Sequence, residues 1–140
     1  MSEQVRDLMT GPPVMVEPGA PVVEVARLMR DEGLGAVLVE ENGLPRALIT
    51  DRDLTVRVLA DGGDVTAKSV QVAYSDPLIS VAPDDDAAHA VQLMRANAVR
   101  RLPVIDDGGR AVGVVSLGDL AVERDPDSAL GEISAAPANS

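Results

Sequence analysis

Apolar residues recur along this chain in two rhythms, and the whole succession of rhythms occurs twice. In "VVEVARLM" (22–29), Val22, Val25, Ala26 and Met29 follow one another at three and four, which predicts a helix with one apolar face. "AAHAVQLMRANA" (87–98) repeats that spacing with Ala87, Val91, Met94 and Ala98. Short β-branched runs come next: "AVLV" (36–39) and "ALIT" (47–50), then "LPVI" (102–105) and "GVVS" (113–116). The turn signals "ENG" (41–43) and "DGG" (107–109) separate them, so each couple reads as a strand pair. A shorter extended piece, "PVMV" (13–16) or "LISV" (78–81), precedes each first helix. A closing helix follows each hairpin, over Asp51 to about Ala60 and Leu117 to about Glu123.

Each copy thus reads strand, helix, strand, strand, helix, and the copies superimpose at a fixed offset. Val16, Pro18, Leu28, Met29, Arg30 and Val39 lie 65 positions before Val81, Pro83, Leu93, Met94, Arg95 and Val104. Upstream, Val5/Val70 and Pro12/Pro77 keep that offset. Beyond the turns it becomes 66, matching Thr50, Asp53, Leu54 and Val56 with Ser116, Asp119, Leu120 and Val122. The division expected is repeat 1 over 5–62, a polar, glycine-rich linker over 63–69, repeat 2 over 70–124 and a flexible tail over 125–140, in which a short helix is the most structure to expect.

Length and composition change this picture in three ways. With 140 residues, each half falls near 60, a size that buries only about 60% of its unfolded surface, so the halves are expected to share a core. That core has no Phe or Trp and one tyrosine, and must be filled by Val, Leu, Ile, Ala and Met. The net charge of −11 repels nucleic acid and anionic lipid. There are no cysteines, and neither an apolar leader nor an apolar run near 18 residues occurs, so the expected location is cytoplasmic, without membrane attachment.

The matched corners "ITDRDL" (49–54) and "VSLGDL" (115–120) carry the candidate chemistry. A hydroxyl residue three positions before a carboxylate at a helix start is a capping box, in which the hydroxyl caps the helix and the acid reaches back to the cap residue's own N–H. The same corner can serve as a ligand clamp. An ionised carboxylate accepts two hydrogen bonds from a vicinal diol, and a helix N-terminus offers free N–H groups to a phosphate. The residues alone leave both roles open, and the two can coexist. Arg52 in the first corner, and Arg100 with Arg101 before "LPVI", are candidate phosphate partners; the alternative is a solvated rim pairing with nearby acids. Gly35 and Ala36 stand where the second copy has Arg100 and Arg101, so the two sites should differ.

Catalytic readings have little to work with. His89 is the one histidine, on the second helix a turn after Asp84, Asp85 and Asp86, and reads as a surface or packing residue. The three aspartates read as first-turn charges opposing the helix dipole, not as metal ligands. No catalytic residue, metal site or required cofactor is expected.

The strand–helix order, "RRLPVIDDGG" (100–109) and the corners "ALITDRD" and "GVVSLGD" together resemble a tandem pair of cystathionine-β-synthase-type (CBS) domains, the Bateman module, over residues 5 to about 124. The chain is most similar to the small stand-alone two-CBS proteins of bacteria. It departs from the family pattern at Ala47, where glycine is usual, at Ser116 for threonine, and at Gly118 inside a helical turn. The resemblance implies an α/β (α+β) fold of two β-α-β-β-α repeats related by pseudo-two-fold symmetry, small three-stranded sheets packed together and helices outside. It implies a non-catalytic sensor binding an adenosine-containing regulatory ligand (AMP, ADP, ATP, S-adenosylmethionine or an NAD-like molecule) in clefts between the repeats. Thr50, Asp53, Ser116 and Asp119 would face that ligand, with Arg52, Arg100 and Arg101 beside it. A homodimer is implied as well, with Val56, Val58, Met94 and Val122 as interface candidates. The alternative is a ligand-free protein-interaction or stress-response module, with an unknown protein partner, whose corners are helix caps alone.

Overall fold

The structure is a computed structural model describing residues 3–74, 78–124 and 127–136; of residues 122–124 the backbone is described. Pro77, the Val122 side chain and the ends of the tail therefore lie outside the described residues. In chain order the elements are α1 (Val5–Leu8), β1 (Met15–Val16), α2 (Val22–Glu32), β2 (Ala36–Glu41) and β3 (Leu44–Thr50). Next comes α3, which starts at Asp51–Asp53 and continues with π-helical winding over Leu54–Leu59. Two 3₁₀ turns follow, Val65–Ala67 and Val70–Ala73. The second copy supplies α4 (Ala87–Asn97), β4 (Arg101–Ile105), β5 (Ala111–Ser116) and α5 (Leu117–Arg124), and α6 (Ala129–Ala135) closes the chain. The architecture is α/β, small sheets with helices, as the periodicity predicts.

The chain forms two compact units, Val14–Leu78 and a second built from the residues up to Pro13 together with those from Ile79 on. The segment that precedes each repeat is therefore built into the other one. In the unit around the second repeat, fully buried Val5 packs with Val81, Ala90, Met94, Leu102, Val104, Val115 and Leu120. Its backbone is tied in by Val5 N to Asp85 O (2.9 Å) and Ala87 N to Glu3 O (2.9 Å). The unit around the first repeat is built in the same way: buried Val70 packs with Val22, Val25, Val37, Val39, Ile49 and Val58. There Val70 N donates to Ala20 O (2.9 Å) and Val22 N to Lys68 O (3.0 Å).

The first repeat carries a three-stranded sheet in the order β1-β2-β3, with β1 parallel and β3 antiparallel to β2. The second carries only β4 and β5, and this corrects the expectation of three strands in each copy. Of "LISV", Val81 alone pairs, in a parallel bridge to Val104 with Val81 N donating to Pro103 O (3.1 Å) and Ile105 N to Val81 O (2.9 Å). The next bond of that ladder would need an N–H at position 103, and proline has none. In the first repeat Leu38 stands at the matching position, and its N–H reaches Val14 O at 2.9 Å. On its other edge β5 gains a bridge to Thr10, and Gly113 makes room for it: a Cβ there would lie 2.7 Å from Met9 Sδ and 2.9 Å from Thr10 O. Ala47, the matching residue, is buried without such a neighbour demanding glycine.

The helices follow their patterns with local corrections. Val22, Val25 and Met29 of α2 are buried, whereas Ala26 is exposed. In α4 the buried face is Ala87, Ala90 and Met94, with Val91 half-buried. Ala98 is exposed and caps α4 in the left-handed region (φ 53°), where the first copy has Gly33 (φ 67°). The bonds that close the helix there, Leu34 N to Met29 O and Val99 N to Met94 O, are the same in both copies, so the backbone keeps its course and alanine bears the strain. Val58 and Met94 are core residues, 3% and 6% exposed, which removes them from the interface candidates. The acidic run lies ahead of α4 and not in its first turn, which corrects that expectation: Asp86 is the N-cap residue without a side-chain cap bond, Asp85 Oδ2 accepts from Ala82 N at 2.8 Å, and His89 lies 3.9 Å from Asp85.

Two substitutions test these assignments in urea or thermal denaturation. Ala98→Gly should stabilise the protein by about 1 kcal/mol by relieving the left-handed alanine. Gly113→Ala should destabilise it by about 1–3 kcal/mol, because Thr10 is backbone and must shift.

Candidate functional site

Both corners fold as capping boxes. Thr50 ends β3 in an extended conformation, and its Oγ1 accepts from Asp53 N (3.1 Å) while Asp53 Oδ2 accepts from Thr50 N (2.8 Å). Ser116 ends β5 in the same way: its Oγ accepts from Asp119 N (3.0 Å), and Asp119 Oδ2 accepts from Ser116 N (2.9 Å). Each reciprocal pair satisfies donors that a helix start otherwise leaves unpaired, so the cap half of the sequence reading is realised twice. The strand before each hairpin turn anchors its corner, through Asp51 N to Gly35 O (3.1 Å) and Leu117 N to Arg100 O (2.8 Å).

The cap uses one oxygen of each carboxylate. Asp53 Oδ1 faces Arg57 Nε at 3.5 Å, one turn along α3; the Asp53 side chain is 15% exposed and that of Arg57 47%. An ion pair this open to water is worth little and yields readily to a better partner. Among the described residues no hydrogen bond or ion pair engages Asp119 Oδ1. The sequence reading missed Arg57, although its spacing of four from Asp53 was a readable signal.

The arginines lie beside different corners. Arg52 is exposed on the first turn of α3, its own N–H donating to Asp51 Oδ1 at 2.9 Å. Arg101 is paired with Ser116 in the β4–β5 ladder, and exposed Arg100 supplies the carbonyl that anchors Leu117. Ala36 and Gly35 hold the corresponding places beside Thr50. So Thr50, Arg52 and Asp53 form one constellation, and Ser116, Asp119, Arg100 and Arg101 another. Among the described residues no group of three or more His, Asp or Glu side chains is gathered to hold a metal.

The CBS domain family matches residues 5–60 and 67–124 of this chain. The protein YhcV of Bacillus subtilis, a CBS domain-containing protein, is 38% identical over 86% of this chain and 84% of its own. Protein MK0525 of Methanopyrus kandleri is 36% identical over 82% of this chain, which spans 57% of that relative's length. Among solved structures, the CBS domain pair of protein MJ0100, in complex with 5′-methylthioadenosine and S-adenosyl-L-methionine, superimposes with a TM-score of 0.77. At 20% identity over 86% of this chain and 94% of that one, this likeness shows the fold.

Removing either carboxylate should loosen its corner. Asp53→Ala or Asp119→Ala should each cost about 1 kcal/mol of stability, and Asp53→Asn, which keeps an acceptor oxygen, clearly less; urea unfolding of the three variants measures this.

Proposed function

This chain belongs to the CBS domain family, and on that premise we propose that it is a non-catalytic sensor whose corners bind an adenosine-containing ligand. The observation that carries this reading is the state of the two aspartates. Each is held in place by its cap, and each keeps an oxygen that the cap does not use: Asp119 Oδ1 without a partner among the described residues, Asp53 Oδ1 against a water-exposed arginine. A carboxylate so fixed is ready to accept ribose hydroxyls, and because its rotamer is already set, binding forfeits less side-chain freedom. Arg52, or Arg100 with Arg101, supplies cationic charge for a phosphate or carboxylate on an otherwise acidic chain. The adenosyl ligands held by MJ0100, on the same fold, support the choice of ligand class.

Self-association belongs to the proposal. Val56 (48% exposed) and Leu59 (64% exposed) lie one turn apart on α3, and a second copy of this chain would remove them from water. A cytoplasmic location is likewise proposed; what the structure shows is that no described helix is long and apolar enough to cross a membrane. The competing reading, a ligand-free interaction module, draws on the caps themselves, since their reciprocal bonds give each corner a purely structural role.

A thermal-melt series against AMP, ADP, ATP, S-adenosylmethionine and NAD separates the two. At about 100 times its Kd, a true ligand stabilises the folded chain by ~2.7 kcal/mol, a rise of roughly 5–11 °C at this length. Asp53→Ala and Asp119→Ala should reduce that rise. Unchanged melting with every ligand would leave the interaction module as the function.

A further inference from the structure

The two corners differ in what lies over them. On the first turn of α3, Arg52 is exposed. On the first turn of α5 the matching residue is Gly118, and it is half-buried because α6 lies against it. A Cβ on Gly118 would stand 2.9 Å from Ser134 Oγ, 3.2 Å from Ser134 Cβ and 3.6 Å from Ser116 Oγ. The Ser134 hydroxyl of α6 thus stands in the space that a side chain at 118 would fill, on the turn that runs from Ser116 to Asp119. The absence of a side chain at 118 is what lets it come so close.

The way α6 is held bears on what it does. Its start is capped by Ser128, whose Oγ accepts from Gly131 N at 2.9 Å, and Gly131 is its buried residue. Its large apolar residues, Leu130 and Ile133, remain 45% and 72% exposed. Among the described side chains, the approach to α5 is made by Ser134 over Gly118, and Leu130 and Ile133 keep much of their apolar area in water. A helix whose larger apolar side chains stay in water has little burial to lose when it lifts away.

We infer that α6 is a latch on the second corner: an adenosyl ligand at Ser116 and Asp119 and a docked α6 exclude one another, so occupancy of that corner is read out as release of the C-terminal helix. The inference rests on the ligand reading for this corner and adds its regulation. The first corner has no such cover among the described residues and binds without reporting. By linkage the coupling runs both ways, so loosening α6 must raise the affinity of the second corner by the factor by which ligand loosens α6.

The experiment is hydrogen–deuterium exchange on the full chain with and without saturating AMP, ATP or S-adenosylmethionine, beside calorimetric titration of the same ligands. Amides of residues 129–135 should exchange at least tenfold faster with ligand. Asp119→Ala should abolish that acceleration, and Asp53→Ala should leave it. Ser128→Ala, which removes the α6 cap without touching the corner, should raise second-corner affinity severalfold. Ligand bound at the second corner with exchange of 129–135 unchanged or slowed overturns the latch and leaves the sensor reading standing. Binding confined to the first corner in the wild type, with no second site exposed by Ser128→Ala, also overturns the latch alone. No binding of any adenosyl ligand to wild type or Ser128→Ala removes the sensor reading and the latch together.

Discussion

Two valines buried in the repeat to which they do not belong by sequence hold this molecule together. Val5 and Val70 are each fully buried, and each completes a core otherwise built from the other copy. Full burial of a valine is worth about 1.5–3 kcal/mol, a sizeable part of a net stability on the order of 5–15 kcal/mol. The backbone bonds around the two valines are the same at the same offset: Val5 N to Asp85 O against Val70 N to Ala20 O, Ala87 N to Glu3 O against Val22 N to Lys68 O. Neither copy is therefore a closed unit. A chain cut between the sequence repeats would leave each half without the segment that fills its core, which gives the tandem arrangement a physical necessity beyond duplicated function.

On that symmetric frame the differences fall mostly in the second copy and around its corner. Proline replaces leucine at 103 and ends a ladder; glycine replaces alanine at 113 and admits the chain at Thr10. Arg100 and Arg101 replace Gly35 and Ala36, and Gly118 replaces Arg52. The caps of both corners survive all of this with bond lengths within about 0.1 Å of one another. What varies is the surroundings of each corner: an arginine on the helix in one copy, and in the other Arg101 on the strand, Arg100 just before it, and α6 against Gly118. Unequal sites are the expected consequence.

Local rhythm made most of the fold legible. Hairpins, helix positions and the two corners could be read from spacing because each depends on residues close in sequence. The exchange of Val5 and Val70 could not, since α1 is four residues long and shows no period of its own. The single missing N–H of Pro103 was visible, but its effect depends on which strand lies beside it. Ala98 matched the apolar spacing of α4 yet lies past its end, where chain reversal takes over from burial. At the corners the spacing singled out the residues and offered two roles for them. Geometry settled the cap, and the part played by α6 depends on Gly118, whose meaning appears only with Ser134 beside it.

The cap and the ligand clamp are often set against each other as readings of such a corner, but here one supports the other. A free aspartate side chain samples several rotamers and would have to be ordered by its ligand. At Asp53 and Asp119 the cap has already done this, with Oδ2 fixed by a backbone N–H in a helix start that is itself fixed by a hydroxyl. The cost of ordering is met by folding, and what remains for a ligand is the oxygen the cap does not use, which at Asp53 it would share with or take from Arg57. The converse also holds, because a ligand that drew Oδ2 away would break the cap and lose its stabilising bond. A ligand compatible with this corner is one that accepts the carboxylate where the fold has put it, with a diol reaching Oδ1.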